Sequence, residues 1–535
     1  MPSQRLTLLL PLLCALAVPR PVPAAPRPAP AQATFQNPVI WEDLADVDIF
    51  RAGDYFYLSA STMHYSPGAP ILRSTDLVHW EYAGHSVPVL DFSPAYDLNG
   101  GRAYVKGIWA SFLNYRKSNK TFYWGGCIEF SKTYIYTAPA VEGPWTKHPA
   151  INNCYYDAGL LIDDDDTLYV AHGNTTISVA QLSPDGLTEV KDQVVFKSPA
   201  DIGYIEGSRF YKINGNYYIF VTHPADGQYI LKSTSGPFGP YTAHLLLSKI
   251  GSPVAGAGVP HQGGLVQTRS GDWYYMAFID AYPGGRMPSL APVHWDADGW
   301  PVLELVNGAW GASYPVPAQS GRRKLQVKPF TGIDTFRGKA LGVEWEWNHN
   351  PDNTKWSVDN GLTLRTATVT NDLYMARNTL THRILGPAST ATISLDCSKM
   401  ADGDRAGLAM LRDSSAWIGV QRDAGASKLV MVNNLILSGR GWNTTATGTV
   451  VAEAELPATR LWLRVAADIH PGPGRLADFS YSTDGKTFTP FGKPLTLNNN
   501  WPFFMGYRFA IFNYATQALG GEIHVGSFEM SAPRP

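Results

Sequence analysis

Five times along this chain a polar or glycine-bearing turn opens into a strand crowded with aromatic residues. The copies are GDYFYLSAS from Gly53, NKTFYWGGC from Asn119, DDTLYVAHG from Asp165, GNYYIFVTH from Gly215 and GDWYYMAFI from Gly271. Their spacing is uneven, and small hairpins lie between them. ILRSTDLVHWEYAG, IYTAPAVEGPWTK and ILKSTSGPFGPYT each follow one copy as a second hairpin. Helical periodicity is scarce, whereas short alternating strands and Gly, Pro and Asp turns recur throughout. The pattern predicts an all-β chain that begins with a five-bladed β-propeller. A tandem of β-sandwiches with Tyr-rich strands is the competing architecture.

At 535 residues the chain is too long for one ordinary core. Its character changes near Pro315–Lys324, PVPAQSGRRK, after which blade signatures thin out. ATISLDCS, RAGLAMLRD, SAWIGVQRD, KLVMVNN, LWLRVAAD and DFSYSTDGKTFTPFG then alternate as the strands of a two-sheet, jelly-roll-like sandwich would. The expected domains are the propeller over 35–317 and the sandwich over 318–535. Ahead of them, residues 1–24 read as an export signal, with Arg5, the apolar run LTLLLPLLCALAV and a small-residue cleavage site at VPAA. Residues 25–34 read as a proline-rich spacer. No apolar run is long enough to span a bilayer, so a secreted, extracellular protein is expected.

A net charge of -2 gives no electrostatic reason for a nucleic acid or anionic membrane partner. The 16 Trp, 27 Tyr and 22 Phe fit strand cores and sugar-stacking platforms equally well. With Cys14 in the signal, Cys127, Cys154 and Cys397 remain. Cys127 and Cys154 are the nearer pair for a bridge, and three unpaired thiols is the alternative. Asn119, Asn174 and Asn443 head glycosylation sequons.

A propeller brings the starts of its inner strands together at one end of an axis. Acids at matching places before the aromatic copies are therefore candidates for one site. Asp46 in ADVDIF, Asp157 in YYDAGLLIDDDD and Glu206 in YIEGSRFYK hold those places in blades one, three and four. Singly, each would read as a turn or cap residue; the matching positions set them apart. Asp48 lies two residues beyond Asp46 and is a candidate to share its face. Glu42 and Asp43 read as loop acids.

NPVIWEDLADVDIFRAGDYFYLSAST, YYDAGLLIDDDDTLYVAHG, IEGSRFYKINGNYYIF and HQGGLVQTRSGDWYYMAF, with DLVHWEYAGHSVP and SLAPVHWDADGWPVL, resemble glycoside hydrolase family 43 from about Phe35 to Pro315. STMHYSPGAPILRS, GRAYVKGIWAS and YPGGRMPSLAPV are most similar to fungal enzymes that remove α-L-arabinofuranose from arabinoxylan, especially from doubly substituted xylose. IDTFRGKALGVEWEWNHNPDNTKWSV resembles the start of the concanavalin A-like module that follows the propeller in many members. That module could bind polysaccharide or brace the propeller, and bracing is the expectation. WPFFMGYRFAIFNYA, near its end, is aromatic enough to reach the pocket rim.

The resemblance implies an inverting glycosidase with Asp46 as general base and Glu206 as general acid. Asp157 would set the pKa of the acid and orient it. Two carboxyls about 6.5–9.5 Å apart leave room for the attacking water in such enzymes. Members commonly carry proline after the base, where this chain has Val47. The resemblance also places Trp109, His64 and Tyr65 around the sugar, and Arg286 facing the site, where it could bond sugar hydroxyls or hold a carboxylate; Tyr156, beside Asp157, could stack on the sugar from the next blade. His261 matches a histidine near the propeller axis that is sometimes linked to a bound cation, so a calcium ion there is an expectation, although no cofactor is required. The run Asp163–Asp166 lacks EF-hand spacing and falls where a hairpin turn is due. Expected partners are plant cell-wall arabinoxylan and its oligosaccharides, with a monomer as the expected state. Exo-acting β-xylosidase and a non-catalytic carbohydrate-binding propeller are the alternatives.

Overall fold

The computed structural model describes residues 1–4, 33–318 and 326–532. The expected export signal beyond its first four residues, nearly all of the spacer and part of PVPAQSGRRK lie outside them. Residues from Thr34 onward form one compact unit.

Five four-stranded antiparallel sheets make the blades. Their first strands are Asp48–Ala52, Phe112–Arg116, Gly159–Ile162, Glu206–Ile213 and His261–Gln267. Each stands beside the next around one axis, and the fifth returns to the first, which closes the ring. The second strands, Tyr55–Ser59, Thr121–Ile128, Leu168–Asn174, Asn216–His223 and Trp273–Asp280, are the five aromatic copies. Their rings fill the wedge between neighbouring sheets. Tyr57 meets Phe122 edge-on across blades one and two, with centroids 5.5 Å apart, and Phe220 meets Tyr275 across blades four and five at 5.8 Å. Radial packing thus explains why this strand is the aromatic one. Thr34–Gln36 pairs with Ser313–Pro315 and ties the two ends of the propeller together.

The described residues after the propeller form two packed sheets of nine and eight strands. The all-β propeller and concanavalin A-like sandwich expected from the sequence are both present. The eight-stranded sheet takes its last strand from the propeller: Tyr65–Ser66, an excursion of blade one, pairs with Glu346–Asn348. Apolar cores are shared as well, because Ile279, Ala281 and Met287 pack with the sandwich interior. Bracing is therefore built into the backbone and the core. Cys127 and Cys154 are bridged, and Cys397 is a buried thiol. Among the described residues no helix is long and apolar enough to cross a membrane.

Glu42 and Asp43 are not loop acids in solvent. Both are buried at the junction of the two domains. Asp43 accepts the Arg286 N–H at 2.8 Å and the Gly506 N–H at 2.9 Å, and its carbonyl accepts Arg383 Nε at 2.9 Å. Gly285 makes this possible, since a Cβ there would stand 2.2 Å from the Asp43 carboxylate. Nearby, fully buried Glu346 accepts from Arg383 and Arg508 and pairs with His85. Charges so deep persist only when paired.

Candidate active site

Asp46 and Asp157 precede the first strands of blades one and three, and Glu206 opens that of blade four. The ring therefore brings all three to one end of the axis. Asp46 and Asp157 both adopt left-handed backbone, with φ of 56° and 49°. Such a conformation costs a non-glycine residue roughly 1–3 kcal/mol and persists only where the surroundings enforce it.

Asp46 is 5% exposed. Its Oδ1 accepts Arg286 Nη1 at 2.9 Å, and its Oδ2 accepts Ser61 Oγ at 2.7 Å and Arg286 Nη2 at 3.4 Å. Arg286 thus holds a carboxylate from both oxygens. Glu206 is half-buried and has only neutral donors: Tyr156 and Tyr204 hydroxyls reach its Oε2 at 2.8 and 2.9 Å. Between them, the Asp157 carboxyl is pushed well above its usual range by burial, then by the charges of Glu206 and Asp46; Arg209 and Arg286 counter this. Asp157 therefore holds its proton to higher pH than an isolated carboxyl would.

Aromatic rings join the two halves of the site in an arc. Tyr156 meets Phe130 at 6.0 Å between centroids, Phe130 meets Trp109 at 5.7 Å, and Trp109 meets Phe504 edge-on at 5.0 Å. Phe504 lies against Arg286, whose Nε donates to its carbonyl at 3.1 Å, and Trp501 extends the arc outward. Phe130 and Trp501 are 59% and 62% exposed, so the arc has open faces. Phe504 and Trp501 belong to the sandwich, which places WPFFMGYRFAIFNYA at the rim as well as in the interface. Trp109 and Phe130 also line a neighbouring cleft of about 330 Å³ with Lys106 and Trp442.

Other expected residues sit elsewhere. His64 and Tyr65 are 0% and 1% exposed, stacked at 4.5 Å within the interdomain core beside Tyr104 and His349. The short strand Tyr65–Ser66 is committed to the sandwich sheet, so neither ring offers a face to a sugar. Burial holds the His64 imidazole well below its usual pKa. Asp48 does not share the ligands of Asp46; its Oδ2 accepts the Leu113 N–H of blade two at 2.9 Å. On its other side it lines an axial cavity of about 610 Å³. Asp163–Asp166 form the expected hairpin turn, with Asp163 bonded to Lys212 and Tyr217.

The expected calcium ion finds no side-chain ligand set among the described residues. His261 shares Nδ1 with the Val259 carbonyl at 2.8 Å and packs on Phe278. No group of three His, Cys, Asp or Glu side chains converges on a metal position among the described residues. Calcium takes six to eight oxygens, and the carbonyls of Asp46, Val47, Ala158 and Ser208 already serve Arg209.

A family model for glycosyl hydrolases family 43 matches residues 35–301, and one for the β-xylosidase C-terminal concanavalin A-like domain matches 333–531. The chain belongs to glycosyl hydrolase family 43. It is 49% identical to a solved family 43 glycoside hydrolase engineered at its active site to display both endo-xylanase and exo-arabinofuranosidase activity. That match has a TM-score of 0.91 and covers 93% of this chain and 100% of the other. A β-xylosidase of Formosa agariphila is 28% identical over 92% of this chain and 90% of its own. A non-reducing end α-L-arabinofuranosidase of Bacteroides ovatus is 31% identical over 61% and 64%. The protein is thus a family 43 glycosidase.

Within that family 43 site, the sequence reading missed Ser61, Tyr204, Arg209, Phe130 and Phe504. Tyr204 had a local signal: in an extended chain, residues two apart share a face, so a Tyr two before the acid can reach it. Arg209 lies inside YIEGSRFYK and Phe504 inside the aromatic stretch WPFFMGYRFAIFNYA, but nothing local distinguished either residue; Ser61 and Phe130 had no signal of their own.

Proposed function

We propose that the protein is an exported inverting glycosidase that removes terminal α-L-arabinofuranosyl groups from arabinoxylan. Asp46 acts as general base, Glu206 as general acid, and Asp157 as the carboxyl that tunes and orients the acid. The observation that carries this reading is the unequal dressing of the two outer carboxyls. A base must stay ionised, and Arg286 and Ser61 bond Asp46 as an anion. An acid must change charge within one turnover, and among the described residues Glu206 has no guanidinium against it, only two hydroxyls on one oxygen.

In the proposed step, water held by Asp46 attacks the anomeric carbon and gives its proton to that carboxylate. The glycosidic oxygen leaves with the proton of Glu206, so the released sugar has inverted configuration. When Glu206 gives up its proton the Asp157–Glu206 pair gains one negative charge, which Arg209 and Arg286, facing Asp157, steady. The exposed arc supports a polymeric substrate, because rings outside the pocket suit a chain that continues past the cleaved group. The Cys127–Cys154 bridge supports an oxidising, extracellular setting.

Exo-acting β-xylosidase on xylo-oligosaccharides is the second reading, favoured by the β-xylosidase of Formosa agariphila and its near full-length match. Incubation with wheat arabinoxylan and, separately, linear xylo-oligosaccharides decides between them. Free arabinose from the polymer, with the linear chains untouched, is the expected result, and ¹H NMR of the first-formed anomer reads the stereochemical course. Xylose from the linear chains moves the assignment to β-xylosidase with the same three acids. Sugar from neither leaves a carbohydrate-binding propeller.

A further inference from the structure

Arg209 is a buried cation with an unusual set of partners. It lies just beyond an irregularity in the pairing of Glu206–Ile213 with Asn216–His223, where Gly207 takes a φ of 74° against the Gln262 side chain. That irregularity turns the side chain inward, and it is 1% exposed. Its Nη2 donates to the Asp46 carbonyl at 2.6 Å and its Nε to the Val47 carbonyl at 3.1 Å, both at the head of blade one. Its Nη1 donates to the Ala158 carbonyl of blade three at 2.8 Å and to the Ser208 carbonyl of its own blade at 2.9 Å. The nearest opposite charge is Asp48, at 3.6 Å, whose other oxygen holds the Leu113 N–H of blade two.

These carbonyls belong to the segments that carry the three acids. Asp46 is bonded directly, Ala158 follows Asp157, and Ser208 lies two residues past Glu206. Of the two left-handed residues, Asp46 is therefore held at its own carbonyl and Asp157 at the carbonyl of the next residue, Ala158, by one guanidinium. Only a planar, permanently charged fork could serve carbonyls arriving from three blades at once.

We propose that Arg209 is the axial cation of this propeller: a positioning residue, tethered to the chain, that holds the three acids in register in place of a bound metal ion. The proposal rests on the glycosidase reading above for its rate measurements. Arg209 touches no substrate; it acts through backbone. It also faces Asp157 together with Arg286, against Glu206 and Asp46, so its charge contributes to where that carboxyl titrates.

The test compares full-length wild type, Arg209→Met and Arg209→Lys on whichever of the two substrates the wild type hydrolyses. Arg209→Met is expected to lose about 100-fold or more in kcat with KM within about three-fold, as expected when reacting groups shift by about an ångström. Its pH–rate limb should move to higher pH, because a charge that lowers the Asp157 pKa is gone. Arg209→Lys should return the limb towards wild type yet recover only part of kcat, since an ammonium keeps the charge but lacks the fork. A folded Arg209→Met with wild-type kcat and an unmoved limb overturns the proposal. If Arg209→Met does not fold, Arg209→Lys decides: wild-type kcat overturns the proposal and a kcat-only loss supports it. Wild-type rate and Tm should be unchanged by EDTA and by added calcium; a chelator loss restored by calcium overturns the tethered-cation role. A wild type inactive on both substrates would refute the glycosidase reading instead. In that case the same chelator series read by Tm, with the melting of Arg209→Met and Arg209→Lys, still judges the cation role: calcium-dependent melting, or variants that melt as wild type, overturns it.

Discussion

The two sides of the acid cluster are built on opposite plans. On the Asp46 side everything is charged, buried and held by both domains. Arg286 bonds the carboxylate and also the Phe504 carbonyl of the sandwich, while Asp43 bridges Arg286 and Gly506. On the Glu206 side the donors are neutral and the edge is open: they are Tyr156 and Tyr204, the latter 46% exposed. The difference matches what each group is proposed to do. A base that is always an anion gains from fixed positive charge. An acid that must give up a proton and regain it would be disabled by a guanidinium at hydrogen-bond distance.

The sharpest way to break this contrast is to remove each carboxyl and vary the leaving group. Glu206→Ala should lose about 10³-fold or more in kcat on arabinoxylan, yet far less on an aryl glycoside whose leaving phenolate needs little protonation. Asp46→Ala should lose a comparable factor on both, because attack by water is slow whatever departs. Equal losses across substrates for both variants would end the division of roles. One step down, Arg286→Gln should cost roughly 10²-fold in kcat and lower Tm. It leaves the Asp46 carboxylate buried without its cation, a defect worth about 3–5 kcal/mol when a buried pair is broken. A variant that keeps wild-type Tm would show that Asp46 does not depend on that ion pair.

Legibility in the sequence follows the same divide. The propeller showed itself because every blade repeats one physical need, an aromatic strand between two sheets. The three acids showed themselves because they share one position in that repeat. Tyr156 was found beside Asp157 for the same reason. His64 and Tyr65 were misplaced: the resemblance set both rings beside the sugar, but their backbone is recruited as a strand by Glu346–Asn348, almost three hundred residues away. Glu42 and Asp43 failed likewise, since their partners Tyr82, Arg383 and Gly506 lie far along the chain. A local pattern carries what one blade needs; it cannot carry what a second domain will cover.

The aromatic arc provides a smaller test of how far the sandwich reaches into function. Trp501→Ala and Phe130→Ala should raise KM on arabinoxylan roughly 10-fold, equivalent to about 1.4 kcal/mol, and leave short aryl glycosides unaffected. Tyr204→Phe should instead lower kcat on both by a similar factor, because the hydroxyl it removes bonds Glu206 itself. If Trp501→Ala leaves the polymer KM unchanged, the sandwich only braces, and the open faces of the arc contribute no substrate binding.

The last effect concerns stability rather than rate, on the charged side. Glu42 is fully buried, with the Tyr82 hydroxyl on Oε2 at 2.6 Å and no hydrogen-bond partner at Oε1. Burial pushes its carboxyl from the usual 4.5 up to about 7, against the pull of Tyr82, Arg383 and Arg508. A carboxyl that binds its proton more tightly when folded stabilises the fold below its unfolded pKa, and loses that contribution as pH rises through the folded value. Between about pH 4.5 and 7, Glu42 should therefore lower unfolding free energy by up to about 3 kcal/mol, from 1.36 kcal/mol per pKa unit. Glu42→Gln keeps the shape and cannot ionise, so its advantage over wild type should be absent near pH 4.5 and fully developed above pH 7. Denaturant unfolding of both proteins across that range measures it. A constant difference at all pH values would mean that Glu42 stays charged in the folded protein, and that the Asp46 side tolerates one more buried anion than its cations pair.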